Sequence, residues 1–143
     1  MPKASPGEEL VKDLVWDKML SVQVEEIDED HRRLVDLFNM LSHSVTDRDP
    51  PDYIEAVMEE LISCTVWHFR HEERLMLKYG YEAFSEHKTE HQDLIGSAKA
   101  LQQKLLQERK TASAEDILFL EHWLTEHILT ADMKLGSFLC MKM

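Results

Sequence analysis

Apolar side chains recur along this chain at intervals of three and four residues, with almost no alternation at intervals of two. Such spacing places them on one face of a helix, so the pattern predicts helices and no sheet. Leu34, Leu37, Phe38 and Leu41 mark a first helix that starts near Asp28 and stops at "TDRDPPD". Pro50 or Pro51 suits the first turn of a second, whose stripe of Ile54, Val57, Met58, Leu61, Thr65 and Leu75 runs to Tyr79, where Gly80 ends it. Ser85 is a suitable N-cap for a third helix carrying Leu94, Ala98, Leu101 and Leu105. After the polar link "QERKTAS", Ser113 and Asp116 form a near match to a capping box, and Ile117, Leu120, Leu124 and Ile128 lead a fourth helix towards Phe138. Four helices with short links predict an all-α fold, an antiparallel up-down-up-down four-helix bundle over residues 26–143, preceded by an irregular N-terminal arm over residues 1–25.

Composition narrows the partners. The chain has 143 residues, 43% hydrophobic and 31% charged, the balance of one globular domain. Its net charge of −12, from 28 acidic and 16 basic residues, leaves no basic stripe to follow a phosphate backbone, which argues against nucleic acid. No run of about 18 apolar residues predicts membrane insertion, and the first residues lack the apolar core of a secretory leader; a cytoplasmic location is expected. Cys64 and Cys140 stand far apart and without a C-x-x-C partner, so they read as inert free thiols.

The histidines change the picture. Residues three or four apart share a helix face. His68 and Glu72 extend the apolar stripe of the second helix, and His87 and His91 begin that of the third. His31 heads the stripe of the first, and His127 continues that of the fourth. Each helix therefore sends imidazole inward, and so many buried polar groups would be left unpaired unless they bound something. His43, His71 and His122 leave these stripes and read as solvated or supporting residues. Residues 87–91 also spell H-x-x-E-H, which in one class of zinc peptidases supplies two ligands and a base. A compact bundle offers no substrate cleft for that chemistry, and Glu90, next to His91, is expected to face away as surface charge.

The segments "IDEDHRRLVDLFNML", "HFRHEERLM", "EHKTEH" and "WLTEHILTADMKLGSFL" resemble the four ligand-bearing segments of the hemerythrin family, in particular its bacterial single-domain members, over most of the chain. The resemblance implies metal ligands at His31, His68, Glu72, His87, His91, His127 and Asp132. It implies two iron ions, cycling between Fe2+ and Fe3+ and joined by an oxo or hydroxo bridge: one held by His87, His91 and His127, the other by His31 and His68, with Glu72 and Asp132 bridging. Asp132 would not be chosen from geometry. Five residues beyond His127, it is turned about 140° around an ideal helix and reads as a surface residue.

If both irons are six-coordinate, this donor set leaves one position free, on the iron with two histidines, where O2 can enter. A histidine-rich set favours the ferrous state over the high-valent iron of carboxylate-rich enzymes, which points to binding and not to catalysis, with no catalytic residue expected. Phe69, Trp123, Leu124 and Ile128 match the family's apolar ligand pocket. The implied function is reversible O2 binding for transport, storage or delivery to an O2-consuming oxidase. The alternatives are an O2 or redox sensor, which would act through a separate partner, and a di-iron enzyme acting on peroxide or nitric oxide.

Overall fold

The structure of the protein is a computed structural model, and residues 13–143 are those described. Its helices are α1 (Glu25–Thr46), α2 (Pro51–Tyr79), α3 (Phe84–Glu108) and α4 (Ala114–His127), followed by a π-helical turn (Ile128–Asp132) and α5 (Met133–Lys142). The backbone stays right-handed helical through both junctions, so α4, the π turn and α5 form one interrupted rod. Four rods make the four-helix bundle, and the described residues contain no strand. None of the described helices is long and apolar enough to cross a membrane.

Helix ends follow local chemistry, with two departures from the sequence reading. Pro51 opens α2, and Gly80 closes it in the left-handed conformation at φ 72°. The Ser113–Asp116 capping box is complete: the Asp116 N–H donates to Ser113 Oγ, and the Ser113 N–H donates to Asp116 Oδ2 at 2.9 Å. The first helix, however, begins at Glu25 and not near Asp28. Asp28 is buried in the first turn and turns back to the preceding chain, accepting from the Val22 N–H at 2.9 Å and from the Ser21 hydroxyl at 2.6 Å. The third helix begins at Phe84 with Ala83 before it, and Ser85 caps nothing; its carbonyl accepts from the Thr89 hydroxyl one turn on.

The arm is irregular over its described residues, yet it belongs to the core. Leu20, Val22 and Val24 are buried, and Leu14 exchanges two 2.8 Å hydrogen bonds with the Asn39 amide of α1. Trp16 then lies beside His31, with the Arg32 guanidinium 5.2 Å from its ring. Residues 1–12 of the expected arm lie outside the described residues. Cys64 is half-buried and Cys140 exposed; both are free, and the Cys140 thiol donates to the Gln23 carbonyl.

Gly136 of α5 permits this closure. A Cβ there would stand 2.3 Å from the Val22 carbonyl oxygen and 2.8 Å from Val22 Cβ, contacts that backbone cannot yield without moving the arm. Gly136→Ala is expected to destabilise the protein by ~1–3 kcal/mol, the usual cost of overpacking, read as a lower urea midpoint. An unchanged midpoint would mean that the arm does not rest on Gly136 in solution.

Candidate metal centre

The bundle brings all seven sequence-predicted ligand positions together. His31 comes from α1, His68 and Glu72 from α2, His87 and His91 from α3, His127 from the end of α4 and Asp132 from the π turn; every one is buried, Glu72 and Asp132 completely. The i, i+4 pairs arise because each continues the apolar face of its helix. Asp132 arises differently. The Met133 N–H bonds to the Ile128 carbonyl five residues back, so the turn holds one residue more than an α-helical turn. That extra residue rotates Asp132 inward and places its Oδ1 3.0 Å from His127 Nε2. The surface position expected from an ideal helix is thereby overturned.

Two groups of ligand atoms share the two carboxylates. Glu72 Oε1 lies 2.9 Å from His91 Nε2, 3.4 Å from His87 Nε2 and 4.0 Å from His127 Nε2. Its other oxygen, Oε2, lies 3.2 Å from His68 Nε2 and 3.7 Å from His31 Nε2. Asp132 divides the same way, with Oδ1 3.1 Å from His87 Nε2 and Oδ2 3.0 Å from His31 Nε2. Each carboxylate thus turns one oxygen to a three-histidine group and one to a two-histidine group.

Three outer carboxylates hold the rings in place. His68 Nδ1 is 2.8 Å from Asp30, His91 Nδ1 is 2.9 Å from Glu73, and His127 Nδ1 is 2.8 Å from Glu90. Each of these bonds keeps Nδ1–H outward and the Nε2 lone pair inward, the tautomer that binds metal. Glu90 is therefore not mere surface charge, as the H-x-x-E-H reading expected; it supports His127 of the next helix. A signal for all three was available. Asp30, Glu73 and Glu90 each adjoin a predicted ligand in sequence, and a residue one position along a helix is turned about 100°, away from the centre and towards a neighbouring helix. His71 bridges Asp30 and Glu26, a supporting place, whereas His43 and His122 pair at the surface with Asp13 and Glu126.

The seven side chains do not satisfy one another. Both ring nitrogens of His31, Nε2 of His68, His87 and His127, Oε2 of Glu72 and both oxygens of Asp132 are buried without a hydrogen bond. Orphaned imidazole and carboxylate atoms converging at these distances suit two divalent or trivalent transition-metal ions. Without metal, protons take that role. Burial alone would lower the pKa of His127, but the negative charge of Asp132 close beside it, with that of Glu72, pushes it up to about 11. The same opposition carries His68 up to about 10, through Glu72 and Asp30, and His87 to about 9, through Asp132 and Glu72. Burial would raise Glu72 and Asp132, yet the surrounding histidines, His68 foremost for Glu72 and His127 for Asp132, hold both low.

A cavity of about 10 Å³ opens beside the two-histidine group, room for one molecule of about the size of water. Phe69, Trp123, Leu124 and Ile128 all line it, joined by Leu34 and Leu94, which sequence reasoning missed. The Trp123 indole N–H donates to the Leu94 carbonyl at 2.8 Å, which removes its polar edge from the cavity. Phe69 stacks on His91 with ring centroids 3.8 Å apart.

The family model of the hemerythrin HHE cation binding domain matches residues 22–139. A bacteriohemerythrin of Methylococcus capsulatus is 32% identical over 112 residues, covering 78% of this chain and 85% of that protein. A myohemerythrin of Theromyzon tessulatum is 30% identical over 119 residues, covering 83% and 88%. A crystal structure of wild-type hemerythrin superposes with a TM-score of 0.81 at 29% identity, over 88% of this chain and 97% of that one. With the match reaching from the arm to α5 and enclosing all seven buried residues of the cluster, the chain belongs to the hemerythrin family.

Proposed function

We propose that the cluster holds two iron ions, one on His87, His91 and His127 and the other on His31 and His68, bridged by Glu72 and Asp132, and that the protein binds O2 reversibly there. The division of each carboxylate between a three-histidine and a two-histidine group carries this reading. Two irons held at this site would supply the electrons that O2 takes up on binding and returns on release. The protein's own part is to hold the donors and to keep the site dry. Neutral imidazole from five histidines limits the negative charge buried with the metals to that of Glu72 and Asp132.

The pocket favours carriage over turnover. Its lining contains no acid or base beyond the proposed ligands, so nothing stands ready to protonate and cleave an O–O bond. The apolar wall formed by Leu34, Phe69, Leu94, Trp123, Leu124 and Ile128 excludes water and anions from the two-histidine side. Transport, storage and delivery to an O2-consuming oxidase all draw on the same reversible binding.

Metal analysis after expression with iron should find two irons per chain, and a visible band should appear in air and disappear when O2 is removed. Glu72→Ala should lower iron affinity by more than about 10-fold, since a bridge is removed together with its charge. Full iron content in that variant would refute the bridging assignment. Leu124→Ala should keep its iron but oxidise faster in air, and faster still with azide; oxidation rates equal to wild type under both conditions would make Leu124 ordinary core packing.

Protons and metal compete for the same nitrogens, so pH acts with opposite signs on the two states. In the metal-free protein, the raised histidines contribute stability that is fully present below pH 6.5 and is lost as the pH climbs through about 9 to 11. Metal-free protein should therefore grow less stable to urea as the pH rises from 7 to 10. Metal uptake expels those protons, and affinity in a chelator competition should rise over the same window. A pH-independent affinity would contradict this coupling.

A further inference from the structure

Asp30 differs from the other outer carboxylates. Glu73 and Glu90 each hold one ligand, whereas Asp30 Oδ2 is shared by two imidazoles, His68 Nδ1 at 2.8 Å and His71 Nδ1 at 2.6 Å. His71, not itself among the proposed ligands, is anchored on its other side, with Nε2 2.9 Å from Glu26 Oε1 at the surface. The chain Glu26–His71–Asp30–His68 therefore runs unbroken from solvent to the two-histidine group, and Asp30 and His71 lie within the protein along most of it. The other member of that group, His31, has no comparable bond: its Nδ1 is buried and meets no hydrogen-bonding group among the described residues, with Trp16 beside the ring. Among the described residues, Asp30 is the outer carboxylate bonded to the two-histidine group.

Resting on the reading of His68 as an iron ligand, we propose that Asp30 is the positioning residue that sets the donor strength of His68, and with it the reduction potential of the iron that faces the pocket, while His71, braced by Glu26, acts by holding Asp30 in place. A carboxylate on Nδ1–H makes an imidazole a stronger donor at Nε2, which stabilises ferric over ferrous iron. A carboxylate held from two sides cannot turn away from His68. The two-imidazole clamp thus gives this metal a fixed outer charge, where Glu73 and Glu90, each held by one ring, leave the other metal's partners freer.

Measured midpoint potentials test this in the iron-loaded protein. Asp30→Asn preserves shape but removes the charge, and should keep two irons per chain while raising the potential by the equivalent of about tenfold in the ferric-to-ferrous ratio, ~59 mV for a one-electron step. His71→Ala should also keep its iron and shift the potential by less than Asp30→Asn does, because Asp30 stays but is no longer held. The double variant should match Asp30→Asn alone, since His71 acts only through Asp30. Shifts that add, an unmoved potential in Asp30→Asn or His71→Ala, or loss of iron from either would overturn the proposal. A wild-type protein without two irons would fail earlier, on the reading of the centre itself.

Discussion

Two carboxylates with no access to solvent, Glu72 and Asp132, lie at the middle of the bundle, and the rest of the structure is arranged around that burial. An isolated buried carboxylate is among the most costly groups a small domain can contain. Five imidazoles surround these two, and the oxygens and nitrogens still lack partners in sum. Metal or protons must complete the set. In the metal-free state the carboxylates raise the pKa values of His68, His87 and His127 against a burial that would by itself lower them, so these rings hold protons in place of metal.

That demand propagates outward through the helices in chain order. α1 lends Asp30 to His68 of α2, α2 lends Glu73 to His91 of α3, and α3 lends Glu90 to His127 of α4. Each outer carboxylate adjoins a proposed ligand of its own helix, so one pair of neighbouring residues serves both the centre and the next helix. A rotation or slide of one helix would disturb two shells at once. The same bonds that orient ligands therefore brace the bundle, and ring contacts such as Phe69 on His91 leave the imidazoles little room to move.

The arm and the π turn complete what parallel stripes of apolar residues would not. Gly136 lets Val22 approach α5, Asp28 ties the arm to the first turn of α1, and Trp16 is carried over His31. The π turn brings Asp132, the seventh proposed ligand, into the cluster. It also divides the fourth rod at the centre, so that α4 lines the pocket through Trp123 and Leu124 while α5 packs against the arm.

Sequence periodicity alone determined the four helices and six inward positions, because an i, i+4 pair on an apolar stripe has one direction to point whatever the neighbouring helices do. Ser113, Pro51 and Gly80 marked their helix ends because capping is local chemistry. Asp132 became a ligand candidate only through family resemblance, since its spacing from His127 contradicts α-helical geometry and nothing local announces a π turn; the buried need for a second carboxylate is satisfied only when the rods are assembled. Tertiary structure likewise decided the start of α1, where Asp28 answers the arm and not its own helix, and the role of Glu90, whose partner lies on α4. Periodicity reports which way a residue faces within one helix. What it meets there depends on helices distant in sequence, and that information resides in the packing.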